Sequence, residues 1–477
     1  MATLWSSKIC GDTPPSANES FALRVTECNV QLNCSVARSS TAEEPAQSSP
    51  SLVYSALPIV LCVAIIVFCA RRTHALIARS RPTSRLDDPL TAPLLPPTRC
   101  VAIDVFRGLT MCLMIFVNYG GGGLKVLEHS VWDGLTIADV VFPWFAWIMG
   151  FTIFLSSQRA HPRPTTVLLR ASRLFALGLF LSNDASWRQW RIPGVLQGLS
   201  VAFALVALLS SVIERRGQSI LGDSVLRHVT LGILPLLAIN LSITYVLPVP
   251  GCPTGYVGPG GSSHGGAYRD CTGGAHLYVD TLVFGRDHLL QSPTCQEEYG
   301  TGPFDPEGLL NWLMMAVTTY LGWISARVYS SEKNEVAQLK TLLCRGAALA
   351  LASVLVSGCL WGTRSPAIPI NKNLWSLTFV GVTSALADLA LAANVTLLAK
   401  YRVSRDVFSR VGRNAIFIYA MHEIMDSFFP FSAKPTDDGD VAFHVGTALL
   451  LLHNAAALAW WIFVAVFLHD RGVFITV

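Results

Sequence analysis

Apolar residues in this chain come in long uncharged runs separated by short polar interruptions, and the first such run, Leu52 to Ala70, spans the roughly 20 residues a helix needs to cross a hydrocarbon core. Arg71 and Arg72 end it. Reading the remaining runs in the same way predicts about eleven transmembrane helices, near 52–70, 103–118, 137–156, 166–182, 193–213, 228–247, 307–327, 340–361, 374–398, 412–430 and 441–468. The fold class expected is therefore an all-α polytopic membrane protein. Residues 1–51 form a short segment ahead of the first helix, 71–100 a linker rich in Pro, Ser and Thr, and 101–477 a ten-helix body with a long loop at 248–306. No internal repeat suggests a transporter built of inverted halves.

The loops differ in charge, and that difference sets an orientation. Arg71, Arg72, Arg79, Arg81, Arg85, Arg99, Arg159, Arg163, Arg215, Arg216, Arg327, Lys333, Lys340, Lys400, Arg402, Arg405 and Arg410 gather on alternate loops, which the positive-inside rule places in the cytosol. Residues 1–51 and the 248–306 loop then face the lumenal or extracellular side. Cys10, Cys28, Cys34, Cys252, Cys271 and Cys295 all fall there, where disulfides persist, which is why a disulfide-tied loop is expected. The sequons at Asn18 and Asn33 fall on the same side, whereas the one at Asn394 lies inside a helix.

Composition agrees with a membrane body: 52% of residues are hydrophobic and 14% charged, against about a quarter charged in soluble chains. A net charge of +4 gives no basic footprint for nucleic acid, so none is expected as a partner; lipid is. The opening residues lack the basic start and apolar core of a secretory signal. Either the first helix doubles as a signal anchor, or the sequence lacks part of its natural start.

Polar residues at membrane depth mark where chemistry belongs. Asp104 and Arg107 stand at the cytosolic mouth of the second helix, placed to pair with each other or with a ligand phosphate. That helix ends in Asn118 followed by Tyr119 and four glycines, and a short loop carries His129, Trp132 and Asp133 to the third helix. Asn118 and His129 should thus meet at the lumenal rim, where an imidazole can act as base or nucleophile beside an amide that stabilises an acyl oxygen. A solvated loop histidine is the plainer alternative. Asp139, three residues after Thr136, has capping spacing, and Pro143 should kink the third helix. The turn-rich stretch from Leu247 to Gly261 lacks the lysine, strand and helix of a nucleotide loop and reads as a lid. His264, Asp270, His276, Asp280, Asp287 and His288 follow it without metal-ligand spacing, so no metal is expected. Asn371 to Asn373 precede the ninth helix, and Asn414, His422 and Glu423 lie in the tenth.

Seven separated stretches, AIDVFRGLTMCLMIFVNYGGG, HSVWDGLTIADVVFPWFAWIMG, RIPGVLQ, LPVPGCPTGYVGPGG, CTGGA, DPEG and INKNLWSL, occur in an order that resembles the heparan-α-glucosaminide N-acetyltransferases of the lysosomal membrane. The resemblance runs collinearly from about Arg99 to the end. It implies transfer of acetyl from cytosolic acetyl-CoA to the terminal glucosamine amine of heparan sulfate, without a metal. It also maps the family's active-site histidine and asparagine onto His129 and Asn118. Candidates for holding acetyl-CoA are then Arg107, Asn118 and Asn414, and for the acceptor Trp132, Asp133 and Asn373. Two departures stand out: Asp133 replaces the family's Asn, and the segment ahead of the first helix is shorter than the family's. A homodimer is expected only because symmetric dimers are the commonest oligomers. The competing reading is a membrane transporter for an amino sugar or an acyl donor.

Overall fold

The computed structural model describes residues 100–475 apart from 160–161, 184–188, 216–223, 333, 359–367, 402–406 and 427–446. The expected first helix, the segment ahead of it, its sequons and its three cysteines, and the 71–99 part of the linker lie outside the described residues.

Among the described residues there is no strand, only an isolated bridge between Asp133 and Asn371. The helices are α1 Val101–Asn118, α2 Val141–Ser157, α3 Pro164–Leu181, α4 Val195–Arg215 and α5 Val225–Val246. After the long loop, which holds the ten-residue helix α6 Ala275–Phe284, come α7 Leu309–Ser331, α8 Glu335–Ser357 and α9 Leu377–Tyr401. Two short helices, α10 Val407–Arg413 and α11 Ala415–Met425, precede α12 Thr447–Asp470. Nine helices among the described residues are long and apolar enough to cross a membrane. The chain is a multi-pass membrane protein of the all-α class.

Lipid offers no hydrophobic drive between helices, so close packing by small residues takes over. α2 and α7 show this twice: a side chain on Gly150 would collide with the Thr319 carbonyl, and one on Gly322 with the Trp147 carbonyl. α1 and α10 repeat the reciprocal contact through Gly108 and Gly412, each backed against the other helix's backbone. The core between α2, α4 and α7 is then filled by Trp147, Phe151, Trp323 and Tyr320, all buried.

Two expectations change in detail. The tenth helix, expected over 412–430, is divided at Asn414, whose Nδ2 donates to the Val473 carbonyl and whose Oδ1 accepts from the Ile475 amide. The carboxy-terminal tail thereby docks on the side-chain amide at the break. Pro143 sits in the first turn of α2, where a missing N–H costs no intrahelical bond, and the irregularity precedes it as a 3-10 turn at Ala138–Val140.

Candidate active site

The polar motifs that are far apart in the sequence converge at one end of the bundle, where α1 ends and α2, α4, α7 and α9 begin. Arg191, ahead of α4, donates from Nε and Nη2 to the two oxygens of Asp305 at 2.8 and 2.7 Å and also pairs with Glu307. Asp305 accepts the Leu290 amide as well. Burial works against the guanidinium charge, yet the two carboxylates outweigh it and raise Arg191 above its ordinary value. Asn371 donates from Nδ2 to Asp133 Oδ1 at 3.0 Å, and Asn373 donates from Nδ2 to the Val131 carbonyl at 3.0 Å. These bonds fasten the loop before α9 to the loop before α2.

That fastening delivers Lys372 to His129. The His129 Nδ1 lies 2.8 Å from Asp139 Oδ1 and 3.0 Å from Lys372 Nζ, and Lys372 Nζ lies 3.6 Å from the same Asp139 oxygen. The other Asp139 oxygen accepts from the Ser130 amide, the Thr136 amide and the Thr136 hydroxyl. Asp139 is fully buried, so its capping spacing with Thr136 is real and its second oxygen is left to orient the imidazole. In the tautomer whose Nδ1–H donates to Asp139, the Nε2 lone pair of His129 is available; in the other, Nδ1 accepts from the Lys372 ammonium. Burial lowers the His129 pKa from its ordinary value, the Lys372 ammonium adds to this, and Asp139 opposes it.

Two cavities meet here. One, of about 480 Å³, runs along α1, α2, α4 and α11 from Arg107, Arg170 and Arg413 to Lys372, Asn118 and His129. Its middle is apolar, with Met111, Met114, Phe142, Phe145 and Ile148. The other, of about 760 Å³, opens on the far side of His129 and is lined by Glu128, Glu297, Glu298, Glu423 and Asp426. Val117, Asn118, His129 and Glu423 line both.

The expected site residues separate at this point. His129 and Asn118 come together at the junction of the cavities, and Arg107 stands at the opposite end of the narrower one, with its Nη1 on Asp104 and the Gly412 carbonyl, each at 3.3 Å. Both amide hydrogens of Asn118 point to His422 Nε2 and Glu423 Oε1, at 3.0 and 3.2 Å, so this amide holds the α11 acid rather than facing an acyl oxygen. Asn414 lines neither cavity, and its amide is engaged by the tail as described; it positions Arg413 and Ala415, which do line the cavity. Trp132 is buried beneath the long loop, its Nε1 donating to the Val257 carbonyl at 3.1 Å and its ring against Phe304. Trp132, Asp133 and Asn373 shape the rim without lining either cavity.

The long loop is tied by a disulfide between Cys252 and Cys271, while Cys295 is a free, buried thiol. Several of its polar residues serve packing. Burial pushes His276, beside Thr244 Oγ1, down to about 4, and Asp280, which accepts the Leu309 amide, up to about 7. His288 Nδ1 faces the Trp190 carbonyl at 2.7 Å. Glu423 is among the polar residues at membrane depth expected from the sequence, and Lys372 lies in the expected Asn371 to Asn373 stretch; Glu307 and Arg413 are cavity residues that spacing alone did not single out. The available signal was a charged residue next to the end of an apolar helix.

No family model matches the chain. It is similar to the heparan-alpha-glucosaminide N-acetyltransferase of Mus musculus, 36% identical over 446 residues, and to that of Homo sapiens, 35% identical over 440. Each match takes in 85% of this chain and 65% of the relative's length. The family resemblance carried by the seven motifs is borne out.

Proposed function

For a chain that is thus a relative of the heparan-α-glucosaminide N-acetyltransferases, we propose the activity of a transmembrane acetyltransferase, taking acetyl from acetyl-CoA on the cytosolic side and passing it to a terminal glucosamine amine of heparan sulfate on the lysosomal side. The observation that carries this reading is the meeting of two cavities from opposite ends of the bundle at one histidine oriented by a buried carboxylate.

Coenzyme A is too polar to cross the bilayer, and the narrower cavity suits its shape. Arg107, Arg170 and Arg413 at its mouth fit phosphates by charge and by their planar donor forks. The apolar middle fits the pantetheine arm, and the thioester then arrives beside His129. At about 480 Å³ the cavity lies within the usual range for small-molecule sites. The wider, acidic cavity fits an amine that arrives as an ammonium ion.

Transfer forms a bond from the acceptor nitrogen to the acetyl carbon and breaks the carbon–sulfur bond. The proton lost by the amine passes to a base, and the thiolate leaves with a proton. His129 Nε2 is placed to act as that base or to carry the acetyl group between two half-reactions, and both routes need it unprotonated. Asp139, within hydrogen-bond reach of Nδ1, favours the tautomer that leaves Nε2 free. Glu423, tethered by Asn118, places a carboxylate on the acceptor side.

The test is acetyl transfer from acetyl-CoA to glucosamine in membranes carrying the wild type or His129→Ala. Loss of transfer in a well-expressed variant supports the reading, and equal transfer removes His129 from the chemistry. A permease for an amino sugar or acyl donor would use the same two cavities without needing His129. Absence of transfer in the wild type, with uptake of glucosamine or acetyl-CoA independent of His129, would favour that function.

A further inference from the structure

A histidine paired with a buried carboxylate ordinarily becomes easier to protonate, because the carboxylate stabilises the imidazolium. Such a pair is a poor base or nucleophile in an acidic compartment. The centre here has a third member: Lys372 Nζ is 3.0 Å from His129 Nδ1 and 3.6 Å from Asp139 Oδ1, and its side chain is 14% exposed. Asp139 Oδ1 cannot serve both partners equally. His129 Nδ1 lies 2.8 Å from it, while the ammonium group neutralises its charge from the side.

We propose that Lys372 is a positioning residue of the transfer centre, whose ammonium group, set between His129 and Asp139, keeps the imidazole uncharged. This deepens the acetyl-transfer reading and rests on it only for the turnover measurement below. The lysine is held there by its neighbours, since Asn371 and Asn373 are bonded to Asp133 and Val131 on the His129 loop. Other charges facing the centre are Glu307 ahead of α7, Glu128 beside His129 in its own loop and Glu423 on α11. Asp133 lies at the rim on Asn371. Glu307 is paired with Arg191, and Glu423 accepts from Asn118, so each already has a partner besides Lys372. The lowered His129 pKa, with Lys372 as the second cause after burial, points the same way.

A cation removed from beside an imidazole makes the imidazole easier to protonate, so the acid limb of activity should move to higher pH. Two readouts on the full chain in detergent or membranes separate this from a packing role. The first is the pH midpoint for modification of His129 by diethyl pyrocarbonate, which attacks only the unprotonated ring, located by peptide mass spectrometry. In the wild type that midpoint should lie below about 6.5, the value of an ordinary histidine. Lys372→Met should raise it by about one pH unit, and Lys372→Arg, which retains the charge, should leave it near the wild type. The second is the pH profile of kcat/KM for acetyl transfer, whose acid limb should shift by the same amount, a roughly tenfold loss below both midpoints.

A wild-type midpoint at or above about 6.5 overturns the proposal even if Lys372→Met does not fold. So does a Lys372→Met midpoint equal to the wild type, or an equal rise in Lys372→Arg and Lys372→Met. Should the midpoint move as expected in a chain that transfers no acetyl, the hold of Lys372 on His129 stands and the acetyl-transfer reading fails.

Discussion

The two ends of the narrower cavity are built on opposite principles. At the His129 end nearly every polar group is committed: Asp139 accepts four donors, Arg191 is shared by Asp305 and Glu307, and Asn371 and Asn373 fasten one loop to another. At the other end the arginines are more lightly engaged. Arg107 reaches Asp104 and the Gly412 carbonyl, Arg170 rests on the Phe203 ring at 4.9 Å, and Arg413 has its Nη1 3.1 Å from His469 Nε2 while its Nε is buried with no hydrogen-bond partner among the described residues. Preorganised dipoles serve a reaction, since nothing need rearrange when charge develops. Uncommitted donors serve capture, since a ligand supplies the missing partner.

This contrast can be broken first at Asp139. Asp139→Asn should lower kcat for acetyl transfer about 10²- to 10⁴-fold with little change in KM, because it spoils the orientation of a group that acts in the transition state. A rise in KM alone would show that the committed end serves binding instead. Next, Arg191→Ala leaves the fully buried Asp305 and the largely buried Glu307 without their cation. Destabilisation of about 3–5 kcal/mol is expected, read by thermal unfolding in detergent. A variant as stable as the wild type would mean that the cluster costs as much in desolvation as it returns.

At the capture end the effects should be smaller and of another kind. Arg413→Gln should raise KM for acetyl-CoA about tenfold while leaving kcat near the wild type, the loss of one charge-assisted contact. Salt should weaken donor binding less in this variant than in the wild type. Smallest of all, Trp132→Phe removes one hydrogen bond to the Val257 carbonyl and should cost about 1 kcal/mol without moving KM for the donor.

Helix placement was largely legible in the sequence because an apolar run of membrane length admits few other structures. The run expected at 103–118 is Val101–Asn118, and that at 193–213 is Val195–Arg215. The break at Asn414 was not legible, since the partners of the Asn414 side chain belong to Val473 and Ile475, about 60 residues on. The site divides in the same way. His129 and Asn118 lie at the two ends of one short loop, so their proximity follows from local chain length. Lys372 reaches His129 only because loops more than 200 residues apart are paired through Asp133 and Asn371, and no local pattern encodes such a pairing. The spacing of Asp139 from Thr136 predicts a cap, and one carboxylate oxygen does accept from Thr136; the other meets His129 only when the loop folds back.

The meeting of the two cavities also has an electrical meaning. Water and mobile ions that fill a cavity carry the potential of the side it opens to, so a membrane voltage falls mainly across whatever separates the two. Under the proposed transmembrane reading that partition includes the side chains lining both cavities, Val117, Asn118, His129 and Glu423. Moving an elementary charge through it is worth about 2.3 kcal/mol per 100 mV. A proton handed across His129 would feel much of that voltage within a few ångströms, and the turnover rate would then read the polarisation of the membrane as well as the concentrations on its two sides.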